Sequence, residues 1–87
     1  MNQILDVSVA VNAIRAAFQP LACVVEIYSN DSRLRFRVLA RDKRPIIKVV
    51  GISLRDAVDP IRLRAEIEEA RAQVESQGFA LEAWTPP

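Results

Sequence analysis

The spacing of hydrophobic and polar residues changes several times along the chain, and each change marks an element. Over residues 5–18, Val7, Val11, Ile14 and Phe18 follow the i, i+4, i+7, i+11 spacing of one helical stripe, with Ala10 and Ala17 beside it. Asp6 stands where an N-cap carboxylate can accept an orphan backbone N–H. Pro20 ends the helix, because the residue before a proline is pushed out of the α region. From Ala22 the period drops to two. Ala22–Tyr28 and Arg33–Ala40 read as strands on β-branched content and alternation, separated by the turn residues Ser29-Asn30-Asp31-Ser32.

A two-residue loop at Asn30-Asp31 sets a register for this hairpin. Ile27 then opposes Leu34, Val25 opposes Phe36 and Cys23 opposes Val38 on one face. Tyr28 opposes Arg33, Glu26 opposes Arg35 and Val24 opposes Arg37 on the other. A slip of one residue would send the apolar side chains of one strand to the wrong face, so the match supports the register. Arg41–Arg44 makes a charged turn into a third strand, Ile46–Gly51, in which Ile47 and Val49 face inward and Lys48 opposes Arg37. Like charges directly opposite are unfavourable, so this face is expected to be well solvated or covered by something anionic.

Ser53 can cap a short helical turn, and Asp59-Pro60 is an N-cap followed by proline at the first helical position. The helix it opens runs to about Gln77, with the stripe Leu63, Ile67, Ala70 and Val74 and with Gly78 as its left-handed stop. Its outer face offers Arg62/Glu66, Arg64/Glu68 and Arg71/Glu75 at i, i+4. Phe79–Trp84 reads as a short last strand. The expected fold is α+β and two-layer, in the order α-β-β-β-α-β, an antiparallel meander with both helices on the face bearing Val25, Ile27, Leu34, Phe36, Ile47 and Val49.

The 87 residues make one expected domain, 1–87, small enough that an oligomer interface would add materially to its buried surface. Hydrophobic residues make up 51% and charged residues 26%, which excludes a disordered tail. The net charge is only +1, but it is unevenly spread. Residues 33–48 hold seven Lys/Arg against one Asp, and residues 65–87 hold five Glu against one Arg. The N-terminal residues lack a basic run and are interrupted by Asp6, Asn12 and Arg15, so neither a signal peptide nor a membrane span fits, and a cytoplasmic location is expected.

The chain has no histidine, which removes His-based triads and the commonest general base and metal ligand. Its one cysteine, Cys23, falls on the inward register as a packed thiol. Two glycines cannot build a phosphate-cradling loop, and the glutamates of the second helix splay around its outside instead of converging. No enzyme, cofactor or metal is therefore expected. The feature with positive content is a basic patch: Arg33, Arg35, Arg37 and Lys48 on the outward sheet face, with Arg41, Lys43 and Arg44 at its rim. The plain reading is a solvated strand face whose charges protect an edge; the functional reading is a surface for a protein partner or a second copy. Nucleic acid is less favoured, since a sheet that stacks bases presents aromatics among its cations, and here only Tyr28 does so. Tyr28 and Trp84 are candidate interface aromatics; for Trp84 the plain reading is packing into the chain's own core, and the last strand can join its own sheet beside the first or third strand or pair with a second copy.

The α-β-β-β-α order resembles double-stranded-RNA-binding domains, but the Lys-rich cluster those domains carry at the start of the second helix is replaced by Asp59-Pro60-Ile61-Arg62-Leu63-Arg64. Phe18-Gln19-Pro20-Leu21-Ala22-Cys23 and Val50-Gly51-Ile52-Ser53, with the apolar spacing of the second helix, resemble a family of small uncharacterised proteins from pseudomonad-type bacteria. That resemblance covers roughly residues 11–76 and implies a bacterial cytoplasmic protein, without implying an activity. The function expected is a non-enzymatic interaction or regulatory module, homodimeric, working through the charged sheet face or the last strand; the alternative is polyanion binding through residues 33–48.

Overall fold

Asp6 opens helix α1 (Val7–Ala16) by accepting the Ser8 backbone N–H at 3.0 Å. The structure is a computed structural model and describes residues 4–28, 30 and 32–86. The buried side of α1 is rotated from the expected stripe. Ala10 and Ile14, then Ala17 and Phe18 just past the helix end, are fully buried, whereas Val7 is 37% exposed and Val11 only half-buried. The small alanines are the residues that let the helix backbone come close to its support, and the valines flank that contact.

After the cis Gln19–Pro20 peptide the chain enters β1 (Ala22–Tyr28), which pairs antiparallel with β2 (Arg33–Leu39). The pairing runs from Ala22 opposite Leu39 to Tyr28 opposite Arg33 and is the register expected from the alternation. Ser29 and Asp31 of the expected turn lie outside the described residues; Ser32 takes φ 50° on the way into β2. β3 (Pro45–Ser53) pairs antiparallel with β2, with Lys48 opposite Arg37. It runs two residues past the expected end, because Val50 and Gly51 together stand against Arg35 between the pairs Phe36–Val49 and Leu34–Ile52. That bulge uses the φ of +84° that Gly51 reaches without a Cβ penalty, and it returns Ile52 to the buried face.

Ser53 accepts the Asp56 N–H at 3.1 Å and caps the four-residue helix α2 (Leu54–Ala57). Asp59 then caps α3 (Pro60–Ser76), accepting from Ile61 and Arg62, and Gly78 beyond its end has φ +94°. Leu63, Ile67, Ala70 and Val74 are all buried, as their spacing predicts. They join Leu34, Phe36 and Val38 from β2, Ile47 and Ile52 from β3 and the α1 residues in one hydrophobic cluster. Phe18 and Phe36 meet in it at a ring separation of 5.5 Å. The sheet is three-stranded, in the order β1-β2-β3.

Residues 79–86 form no strand, which corrects the expected sixth element. Their alternation is real, but it serves packing: Phe79, Leu81 and Trp84 are half-buried against the core cluster, and Ala80, Glu82 and Ala83 face out. Among the described residues the segment makes one backbone link, the Glu82 N–H donating to the Gln19 carbonyl at 2.8 Å, and it is also held by Arg71. The Arg71 guanidinium donates to the Ala17 carbonyl through Nη1 and to the Glu82 carbonyl through Nη2 at 3.0 Å. Of the three helix-face pairs read from the sequence, Arg64–Glu68 closes, at 3.0 Å. Arg71 is drawn instead to two carbonyls that lie outside any regular ladder and need donors.

Candidate functional site: the charged sheet face

Alternation along β1 and β2 places Val24, Glu26, Tyr28, Arg33, Arg35 and Arg37 on the face opposite the core, with Lys48 and the exposed Val50 contributed by β3. At the centre is Glu26, cross-strand from Arg35. Arg35 Nε and Nη2 donate to the two Glu26 carboxylate oxygens at 3.2 and 3.4 Å. Arg37 Nη2 approaches Glu26 Oε1 from the neighbouring position at 4.0 Å, and the Tyr28 hydroxyl donates to Oε2 at 3.4 Å. The Arg35 guanidinium carbon also lies 4.6 Å from the centre of the Tyr28 ring, within cation–π range.

These contacts set the protonation of the site. The hydrogen bond from Arg35, with the charges of Arg35 and Arg37 behind it, holds the Glu26 carboxyl below its ordinary value, against a smaller opposing effect of burial. Glu26 is thus an anion that holds Arg35 by hydrogen bonds and has Arg37 beside it, and the side chains of all three remain between 35% and 41% exposed. Arg37 Nε is buried and has no hydrogen-bond partner among the described residues. Arg33 and Lys48 are exposed and enter no ion pair among the described residues; Arg33 lies over the bulge, with its Nη1 3.4 Å from where a Cβ on Gly51 would sit. The four cations exceed the one anion by three charges.

The rim residues form a separate group. In the β2–β3 turn the Arg44 backbone N–H donates to Asp42, whose other oxygen pairs with Arg44 Nε at 2.7 Å. Those two contacts hold the Asp42 carboxyl below its ordinary value. Lys43 takes φ 69° and, like Arg41, is exposed. Arg41, Asp42 and Arg44 line an open cleft of about 820 Å³ together with Leu21, Ile46 and Phe79. Its walls come from three distant stretches of chain, so no local pattern announced it. Gln77 closes one side by donating to the Ile46 carbonyl at 3.2 Å.

Tyr28 is 37% exposed beside Arg35, whereas Trp84 lies well away in sequence and packs half-buried against the core. Cys23 is half-buried on the inward face, and burial pushes its thiol up to about 12, with the charge of Arg15 opposing. Among the described residues no three His, Cys, Asp or Glu side chains converge as a metal site would need, and no helix is long and apolar enough to cross a membrane. Comparison with protein-family models, curated proteins and solved structures returns no match.

Proposed function

We propose that the protein is a non-enzymatic interaction module of the bacterial cytoplasm, homodimeric, whose charged sheet face receives an acidic surface of a protein partner. In this reading the helices form one layer, the sheet forms the other, and the outer sheet face is the working surface. The observation that carries it is the Glu26 cluster. By holding Arg35 in place, with Arg37 alongside, before any partner arrives, it lowers the side-chain ordering cost that an acidic partner would otherwise meet. An excess of three positive charges also argues against this face meeting its own copy across a two-fold axis, where arginines would oppose arginines.

The alternative, nucleic acid on the same face, is the weaker reading. Its one outward aromatic, Tyr28, has a ring face already covered by Arg35, which removes the stacking platform that single strands require. Titration with poly-L-glutamate and with single-stranded DNA of matched charge separates the two over roughly 50 to 200 mM salt. Polyglutamate is expected to bind more tightly, and its binding to be lost in Arg33→Glu/Lys48→Glu. Tighter binding of DNA, or no binding of polyglutamate at the lowest salt, contradicts the proposal.

A further inference from the structure

The two edges of the sheet are built differently. β3 carries the devices that keep an edge from pairing: Pro45 at its start, outward Lys48, Gly51 at a bulge, and a second register shift near Leu39. One of its carbonyls, that of Ile46, is already taken by Gln77. β1 has none of these. Its sequence ACVVEIY contains no Lys, Pro or Gly, and its pairing with β2 runs seven residues without a shift. Among the described residues, its backbone groups bond only to β2, so the outer row of N–H and C=O groups faces away unpaired. Ile27 shows the same gap in side-chain terms. It points to the core face, yet it is 43% exposed, while Leu34 directly across from it is fully buried.

We infer that β1 is a homotypic pairing edge, and that two copies of this chain join there antiparallel, with Val25 opposite the partner's Val25, into one six-stranded sheet. The inference rests on the homodimeric part of the proposed function and supplies its interface. The register follows from parity and charge. Residues directly opposite share a face, so only registers pairing odd with odd and even with even positions keep the core face continuous. Centring on Val25 pairs all seven residues of β1. Centring on Glu26 sets that carboxylate against itself, and centring on Val24 shortens the ladder to five pairs.

With Val25 at the centre, Ile27 meets the partner's Cys23, which covers the surface now left open. Val24 meets the partner's Glu26. Because Val24 sits beside Arg37, the partner's Glu26 comes to lie two strands from Arg37, about 10 Å between Cα atoms at standard strand spacing. Long side chains span that distance over a valine, so the Glu26 and Arg37 rows of the two copies complement one another across the new ladder.

Cross-linking tests both the edge and the register. In Cys23→Ser/Val25→Cys, mild copper–phenanthroline oxidation is expected to give a disulfide dimer, since opposed antiparallel Cα atoms stand about 4.5–5.5 Å apart, within disulfide reach. Cys23→Ser/Glu26→Cys is expected to cross-link poorly. Light scattering is expected to show a dimer for the unmodified chain and a monomer for Ile27→Lys, with an unchanged far-ultraviolet circular dichroism spectrum. A dimer in solution without the Val25→Cys cross-link, or with cross-linking at Glu26→Cys instead, overturns the inference and leaves homodimerisation standing. A monomer at the highest soluble concentration overturns both, while polyglutamate binding to the open face reports on the partner surface separately.

Discussion

Arg71→Met removes the guanidinium that bridges the Ala17 and Glu82 carbonyls while keeping the aliphatic stem that packs beside them. A hydrogen bond from a charged donor contributes about 1.5–3 kcal/mol net, and less where water can replace it. Glu82 is exposed and Arg71 half-buried, so about 1 kcal/mol for each bond is the appropriate figure, or about 2 kcal/mol together. For a domain this small that corresponds to a drop of roughly 8–16 °C in Tm. Trp84 is the chain's single tryptophan and sits on the tethered segment, so its emission should shift to the red as the segment loosens. Hydrogen exchange at the Glu82 amide, which is bonded to the Gln19 carbonyl, should accelerate in the same variant. Glu75→Ala is the paired control. If Arg71 served a helix-face ion pair with Glu75, the two variants would lose similar amounts; the structure instead predicts a change within about 0.5 kcal/mol for Glu75→Ala. A Tm for Arg71→Met within 2–3 degrees of the parent, or equal losses in both variants, would refute the tether (about 0.5 kcal/mol at this size).

Three further outcomes are expected. Cys23, with its thiol raised to about 12, should react with a thiol reagent at pH 8 at least about a hundredfold more slowly in the folded than in the urea-unfolded chain; comparable rates would place it at the surface. Gly51→Ala should cost more than Gly78→Ala in urea unfolding, roughly 1–2 against about 1 kcal/mol, because both hold positive φ but Gly51 sits in a bulge between paired residues of the β2–β3 ladder, whereas Gly78 lies past the end of α3; the reverse order would contradict the bulge geometry. Glu26→Gln should lower stability at neutral pH. Since the folded carboxyl is depressed from its ordinary 4.5, its contribution is present above that value and is lost as pH falls through the folded value. The gap between parent and variant, followed by urea midpoints, should therefore close in acid, and a gap that persists would show that packing, not charge, sustains the cluster.

The hairpin was legible because period-two alternation has a parity: a single register satisfied both faces, and the β1–β2 pairing follows it residue by residue. The same register held the Glu26 cluster, since Glu26 opposite Arg35 and diagonal to Arg37 places three long side chains within reach. α3 was legible from its cap, proline, stripe and glycine. The rotation of α1 was not, because hydrophobicity ranks valine above alanine, whereas close approach to the sheet selects alanine. Residues 79–86 misled for a related reason: alternating burial is what a strand shows, and also what any extended segment shows when it lies on a core. Nothing local distinguishes the two until Arg71 is seen holding the segment. The bulge had a signal in Gly51, whose positive φ lets β3 absorb an extra residue and continue to Ser53.

The central claim is that the outer sheet face is a pre-ordered surface for an acidic protein partner. Amide and side-chain NMR of the labelled chain, titrated with poly-L-glutamate at low salt, tests it most directly. The account predicts shifts that saturate and concentrate on Val24, Glu26, Tyr28, Arg33, Arg35, Arg37 and Lys48, with the outer face of α3 around Glu68 and Glu75 unmoved. Shifts confined to the Arg41–Arg44 turn, or spread evenly over the exposed cations, would contradict it.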